Sequence, residues 1–189
     1  MGELFRYIAD KLPAEASETC PGCERVAPLY PFLAKPDGTS WFDDDSDEDE
    51  AFCGHCIKTM PLPSLGVRGS ERTITKLIND FYKKGSLSGE RRQFLLVERT
   101  DALRRTPQLP LFLQAEDWPF CCADFCEYQG TPPTYQEAIE MGRKLPYWEY
   151  GPADFEEIFG MTLQPEVLEE VCLFQCLTCK NQMFTWQMT

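Results

Sequence analysis

The chain has 189 residues, 43% apolar and 13% aromatic, enough for one sizeable core or two small ones. Its 18 Lys and Arg against 31 Asp and Glu give a formal charge of −13, which works against a phosphate backbone as a direct partner. No apolar run approaches the length that spans a bilayer, and MGELFRYIADKLP has no basic stretch leading into an apolar one, so the expectation is a soluble, cytoplasmic protein with no membrane role.

Ten cysteines in such a chain require either disulfides or metal, and a reducing compartment disfavours disulfides. Their placement points to metal. Cys20-Pro-Gly-Cys23 opens a stretch rich in proline and aromatics, read as short strands, and Cys53-Gly-His-Cys56 follows about 30 residues later. A two-residue gap lets two thiolates reach one ion at about 2.3 Å while N–H groups of the turn donate to the sulfurs. Two such pairs make a four-thiolate zinc site from Cys20, Cys23, Cys53 and Cys56. A redox role for Cys-Gly-His-Cys is the competing reading, because such a pair can lower a thiol pKa.

Between the pairs runs WFDDDSDEDE, residues 41–50. As a calcium loop it fails, since the sixth position from Asp43 is Glu48 where glycine is needed and the twelfth is His55. It reads either as a solvated loop or as a surface for a basic partner. In the second case Asp43, Asp44, Asp45, Asp47, Glu48, Asp49 and Glu50 make the contact, with Trp41 and Phe42 as anchors.

Residues 64–106 hold no cysteine and turn helical in pattern. Ser70 is the expected N-cap, Ile74, Leu77, Ile78 and Phe81 share a face, and Gly85 is the stop; a second helix runs to Pro107. Most of the basic residues fall here, Arg68, Arg72, Lys76, Lys83, Lys84, Arg91, Arg92, Arg99, Arg104 and Arg105 among them, and read as a solvated face. An extended segment then leads into Cys122-x3-Cys126, and two short helices, TYQEAIEMGRKL and PADFEEIFGM, follow. EEVCLFQCLTCKNQMFTWQM closes the chain as a hairpin turning at Lys180-Asn181. Cys122 and Cys126 with Cys176 and Cys179 make the second expected zinc site. Cys121 could substitute as a ligand, and Cys172 reads as a small core residue.

The expected fold is therefore α+β: small zinc-ribbon-like β modules with a helical middle segment. The parts are an N-terminal zinc-knuckle module at 1–62, a helical insertion at 63–106 and a C-terminal zinc-ribbon module at 107–189, as separate lobes or one compact domain.

Together, FRYIADKL, CPGC followed by AFCGHCI, RTP leading into DWPFCCADFCEYQG, and FQCLTCK resemble the CbrC family of bacterial cysteine-rich proteins. The resemblance implies a cytoplasmic bacterial protein associated with tolerance of, or immunity to, secreted antibacterial toxins such as nuclease colicins, and implies no enzymatic activity. That family commonly has His where Cys121 stands, which leaves Cys121 and Cys122 as alternatives for one ligand position.

Catalytic patterns are weak. A zinc deaminase needs H-x-E ahead of P-C-x-x-C, but the sole histidine, His55, is followed by Cys56 and Ile57. His55 sits between two ligands and reads as a donor to the site or an exposed side chain. Neither G-x-S-x-G nor G-x4-G-K-[ST] occurs. The expectation is a non-enzymatic, immunity-type protein that binds a basic protein toxin, a nuclease first, through its acidic surface, with two structural Zn2+ ions. The alternative is a zinc-ribbon adaptor in regulation or nucleic-acid metabolism that uses the basic helices.

Overall fold

The computed structural model describes residues 4–10, 17–32, 51–61, 69–85, 88–107, 118–148 and 155–187. The chain divides into two compact units, Gly2–Leu109 and Pro110–Thr189; among the described residues the first carries one antiparallel sheet and the second two, and each carries one group of four cysteines. The fold is mixed α and β.

In the first unit, β1 (Ser17–Thr19), β2 (Val26–Pro31) and β3 (Ala51–Cys53) form a sheet in that order. The pair Thr19↔Val26 closes a hairpin over residues 20–25, and Leu29↔Cys53 sets the end of β3 beside the middle of β2. The chain passes from β3 directly into α1 (Gly54–Thr59), with extended Cys53 as its N-cap. Next come α2 (Gly69–Lys83) and α3 (Gly89–Arg104), which pack on each other. The α2 helix begins at Gly69, so Ser70, expected as its cap, lies within the first turn. Ile74 and Ile78, one turn apart, are fully buried, and Gly85 at φ +73° takes the left-handed conformation that follows a helix end. Ser88 caps α3 by accepting a hydrogen bond from the Arg91 N–H at 3.2 Å.

Some basic residues of α3 are engaged and not merely solvated. Arg92 Nε donates to Asn79 Oδ1 of α2 at 2.7 Å, and Arg99 meets Glu98 at 3.8 Å. Arg105, just past the helix, reaches the end of α1: its Nη1 donates to the carbonyls of Ile57 at 3.0 Å and Met60 at 3.1 Å while its Nε lies 3.4 Å from Asp101. Those carbonyls are orphans of the helix end, and the guanidinium satisfies two of them with one rigid group.

The second unit holds the hairpin β4 (Phe120–Cys121) and β5 (Asp124–Phe125), then β6 (Glu127–Gly130), α4 (Tyr135–Lys144), α5 (Phe155–Phe159), β7 (Val171–Gln175) and β8 (Gln182–Trp186). The strands β6, β7 and β8 form one antiparallel sheet in that order. Thr134 caps α4 through the Glu137 N–H at 3.2 Å. The core on one side of this sheet is aromatic: Tyr147, Phe155, Phe184 and Trp186 are buried with Leu163 and Val171, and Phe155 stacks 5.2 Å from Trp186. Burying a side chain of this size contributes about 1.5–3 kcal/mol. Trp118, outside that cluster, packs 5.8 Å from Phe174 of β7 and 6.4 Å from Phe125, which ties the β4–β5 hairpin to the larger sheet. Its indole N–H donates to the Cys126 carbonyl at 2.7 Å. No described helix is long and apolar enough to cross a membrane.

Candidate metal centres

Each unit uses the same turn to present two sulfurs. In the first, the Cys20 N–H donates to the Arg25 carbonyl at 2.9 Å, the Cys20 carbonyl accepts from Cys23 at 3.3 Å and Glu24 at 2.8 Å, and Glu24 sits at φ +57°. In the second, the Cys176 N–H donates to the Asn181 carbonyl at 2.8 Å, the Cys176 carbonyl accepts from Lys180 at 3.2 Å, and Lys180 sits at φ +63°. The left-handed residue after the second cysteine folds the chain back so that the next strand, β2 or β8, pairs with the one before the turn. Backbone N–H groups also point at sulfur: Cys53 donates to Cys20 Sγ at 3.3 Å, and Thr178 and Cys179 donate to Cys176 Sγ at 3.4 Å. Such bonds disperse thiolate charge, as metal-bound cysteines require.

What completes each group differs. Cys53 at the end of β3 and Cys56 in the first turn of α1 join Cys20 and Cys23. Two glycines make room. A Cβ on Gly22 would lie 3.2 Å from Cys56 Sγ, and one on Gly54 would come within 2.7 Å of Leu4 Cδ1. Cys20, Cys53 and Cys56 are buried and Cys23 is half-buried, whereas His55 between Cys53 and Cys56 is exposed.

Cys176 and Cys179 are joined by Cys121 and Cys122, and this corrects the expected ligand set. Cys126 is not in the group. It is buried, with its Sγ 4.0 Å from Met183 Sδ, and its N–H donates to the Pro119 carbonyl at 2.8 Å. Burial, then the negative charge of Cys176 and Cys179, pushes the Cys126 thiol up. Cys121 and Cys122 serve together because the two-residue loop Cys122-Ala123 has positive φ at both positions, 52° and 63°, the mark of a type I′ hairpin turn. Neighbours in a regular strand point to opposite faces; the turn cancels that alternation and returns Cys122 Sγ to within 3.7 Å of Cys121 Sγ. Cys172 is buried as the sequence suggests, donating to the Glu169 carbonyl at 3.7 Å.

The geometry fits a tetrahedral ion. With metal–sulfur bonds of about 2.3 Å, the edge of a four-sulfur tetrahedron is about 3.8 Å. The observed separations are 3.7 Å for Cys20–Cys56 and Cys23–Cys53, 3.7 Å for Cys121–Cys122 and 3.6 Å for Cys121–Cys179. All four sulfurs of each group lie within 4.8 Å of one another. They are far from the roughly 2.05 Å of a disulfide. The thiols also titrate as crowded sets. Burial opposes ionisation of Cys20, but hydrogen bonds from the Cys53 and Gly22 N–H groups and from the neighbouring thiols outweigh it and hold Cys20 at about 7. The Asn181 N–H, then Cys176, lower Cys179 to about 7. Burial and the same neighbours push Cys56 and Cys121 up. One thiolate forms readily in each group, and further negative charge at these distances requires a compensating cation.

The remaining sequence-selected residues, Trp41, Phe42, Asp43, Asp44, Asp45, Asp47, Glu48, Asp49 and Glu50, lie outside the described residues. The chain leaves the first sheet at Pro31 and returns to it at Ala51, next to Cys53. No protein-family model matches the chain, and comparisons with curated proteins and with solved structures find no match.

Proposed function

We propose that both four-cysteine groups hold structural Zn2+ and that the protein is an immunity-type inhibitor. In this reading it binds a basic antibacterial toxin, a nuclease first, and neutralises it through an acidic surface. The observation that carries the reading is charge. A four-thiolate zinc site adds about −2, four thiolate charges against the ion's two, so two sites take the formal −13 to about −17. Such a molecule draws cationic partners quickly and from a distance. A nuclease needs a basic cleft for phosphate, and an acidic inhibitor can occupy it by complementarity. The segment 43–50 concentrates seven carboxylates between two strands whose ends are joined to the first zinc site, which supports Asp43 to Glu50 as the contact, with Trp41 and Phe42 as anchors. The motif resemblance to the CbrC family supports the same reading.

The adaptor alternative needs a free basic face on the helices over 68–105. Three of the ten basic residues named there, Arg92, Arg99 and Arg105, are engaged with Asn79, Glu98 and the end of α1, which weighs toward the inhibitor.

The test is to co-express the protein with toxin candidates encoded beside its gene and to score survival and complex formation. Protection that weakens when Asp43, Asp44 and Asp45 are replaced by Asn, with binding that falls as salt rises, is the expected result. Failure to bind or protect against every such candidate sinks the inhibitor. A gel shift of nucleic acid at low salt would favour the adaptor.

A further inference from the structure

The two groups differ in access. Cys20, Cys53 and Cys56 are buried, whereas Cys122 and Cys179 are exposed and Cys121 is half-exposed. We infer that Cys121 and Cys179 form an oxidant-reactive dithiol, a modification site for peroxide-class oxidants, whose closure to a disulfide dismantles the second group and leaves the first intact.

The pair is selected by geometry. Cys121 Sγ and Cys179 Sγ lie 3.6 Å apart, on a hairpin and on a turn 58 residues further along the chain. They need to approach by about 1.5 Å to bond. The other close pair, Cys121 and Cys122, is a poor disulfide: adjacent Cα atoms sit about 3.8 Å apart, below the 4.4 Å or so that bridged cysteines span. Cys176 is buried, and its sulfur accepts two N–H groups, which lowers its nucleophilicity. Cys126 is buried as well.

The chemistry balances with hydrogen peroxide as oxidant. The exposed Cys179 thiolate attacks one peroxide oxygen, the O–O bond breaks, and hydroxide leaves, giving a sulfenic acid. The Cys121 thiol attacks that sulfur, the S–O bond breaks as the S–S bond forms, and the thiol's proton leaves with the displaced hydroxide as water. The two sulfurs give up two electrons, the peroxide takes them, and one proton from buffer turns the first hydroxide into water. Cys122 and Cys176 remain, too few to close a four-coordinate site, so a zinc held there departs. Only this last consequence rests on the zinc reading; the dithiol itself does not.

The experiment treats the full chain with a modest excess of hydrogen peroxide, alkylates the remaining thiols, maps disulfides by peptide mass spectrometry and measures zinc before and after. The expected result is a Cys121–Cys179 disulfide, with Cys20, Cys23, Cys53 and Cys56 recovered as free thiols and zinc falling from two equivalents to one. Dithiothreitol with added zinc should restore the second equivalent. If the protein carries no zinc at the outset and the Cys121–Cys179 disulfide still forms, the zinc reading falls and the dithiol stands. If the protein carries two zincs and peroxide gives no disulfide, or oxidises Cys20, Cys23, Cys53 or Cys56 first, the dithiol is overturned.

Discussion

The group around Cys20 takes its second pair of sulfurs from a strand end and the helix that follows it, beneath buried side chains; the group around Cys176 takes its second pair from the corner of an exposed two-residue turn. The knuckles that supply the first pair are nearly the same in their backbone bonds. A shared turn therefore decides how two sulfurs are aimed, and the element that meets it decides whether the site is sealed. In the first unit Phe52 and Ile57, the residues before Cys53 and after Cys56, have no exposed surface, so these cysteines are part of the core. In the second unit the hairpin is held from behind by Trp118 against Phe125 and Phe174, and its tip faces water.

The largest test of this contrast is ligand removal. Cys20→Ser places a hydroxyl at a position with no exposed surface and deletes one of four ligands, and is expected to cost on the order of 4 kcal/mol or more and to unfold the Gly2–Leu109 unit. Cys179→Ser, at an exposed position, is expected to cost about 2 kcal/mol and to leave the other unit folded. Urea unfolding followed by far-ultraviolet circular dichroism, with zinc content measured on each variant, checks both. Equal losses would show that burial does not rank the two sites.

A smaller effect is expected at Arg105, which touches no cysteine. Arg105→Ala strips the Ile57 and Met60 carbonyls of their donor and leaves Asp101 without its partner, a loss of about 2–3 kcal/mol. Because those carbonyls end the helix that carries Cys56, competition with a chelator should extract one zinc faster and leave the rate for the other unchanged. Acceleration of both would mean that Arg105 acts on general stability and not on α1. The smallest effect is expected at Ala123. Its φ of +63° strains an alanine but suits glycine, so Ala123→Gly should raise the melting temperature slightly, by up to about 1 kcal/mol of stability, without changing metal content. A lower melting temperature would show that the turn carries no such strain.

The parts of the sites legible in the sequence were those whose geometry is local. A C-x2-C turn aims both sulfurs within a few residues, so the grouping of Cys20 and Cys23 with Cys53 and Cys56 could be read from spacing. So could Cys172 as a core residue. The second group was only half legible. Cys122-Ala123 lacks the Asn-Gly or Asp-Gly signature of a type I′ turn, so nothing marked a reversal between Phe120 and Phe125. Without that reversal, strand alternation argues against two adjacent ligands, and the three-residue gap to Cys126 looked better. The one available signal was adjacency itself. Arg105 was illegible for a related reason, since the carbonyls it binds lie 45 and 48 residues earlier in the chain.

By itself the sequence determined the donor chemistry and the charge: ten thiols without a comparable stock of histidine, four closely spaced pairs and a balance of −13. These follow from residue identity and from turns a few bonds long. Only the tertiary structure decided that Cys121 and not Cys126 completes the second group, and which group stands open to solvent. Both depend on where Cβ–Sγ vectors point and on what packs over them. The turn at Cys122-Ala123, on a hairpin tied to the larger sheet by Trp118 against Phe174, sets the first, and burial around Phe52 and Ile57 sets the second.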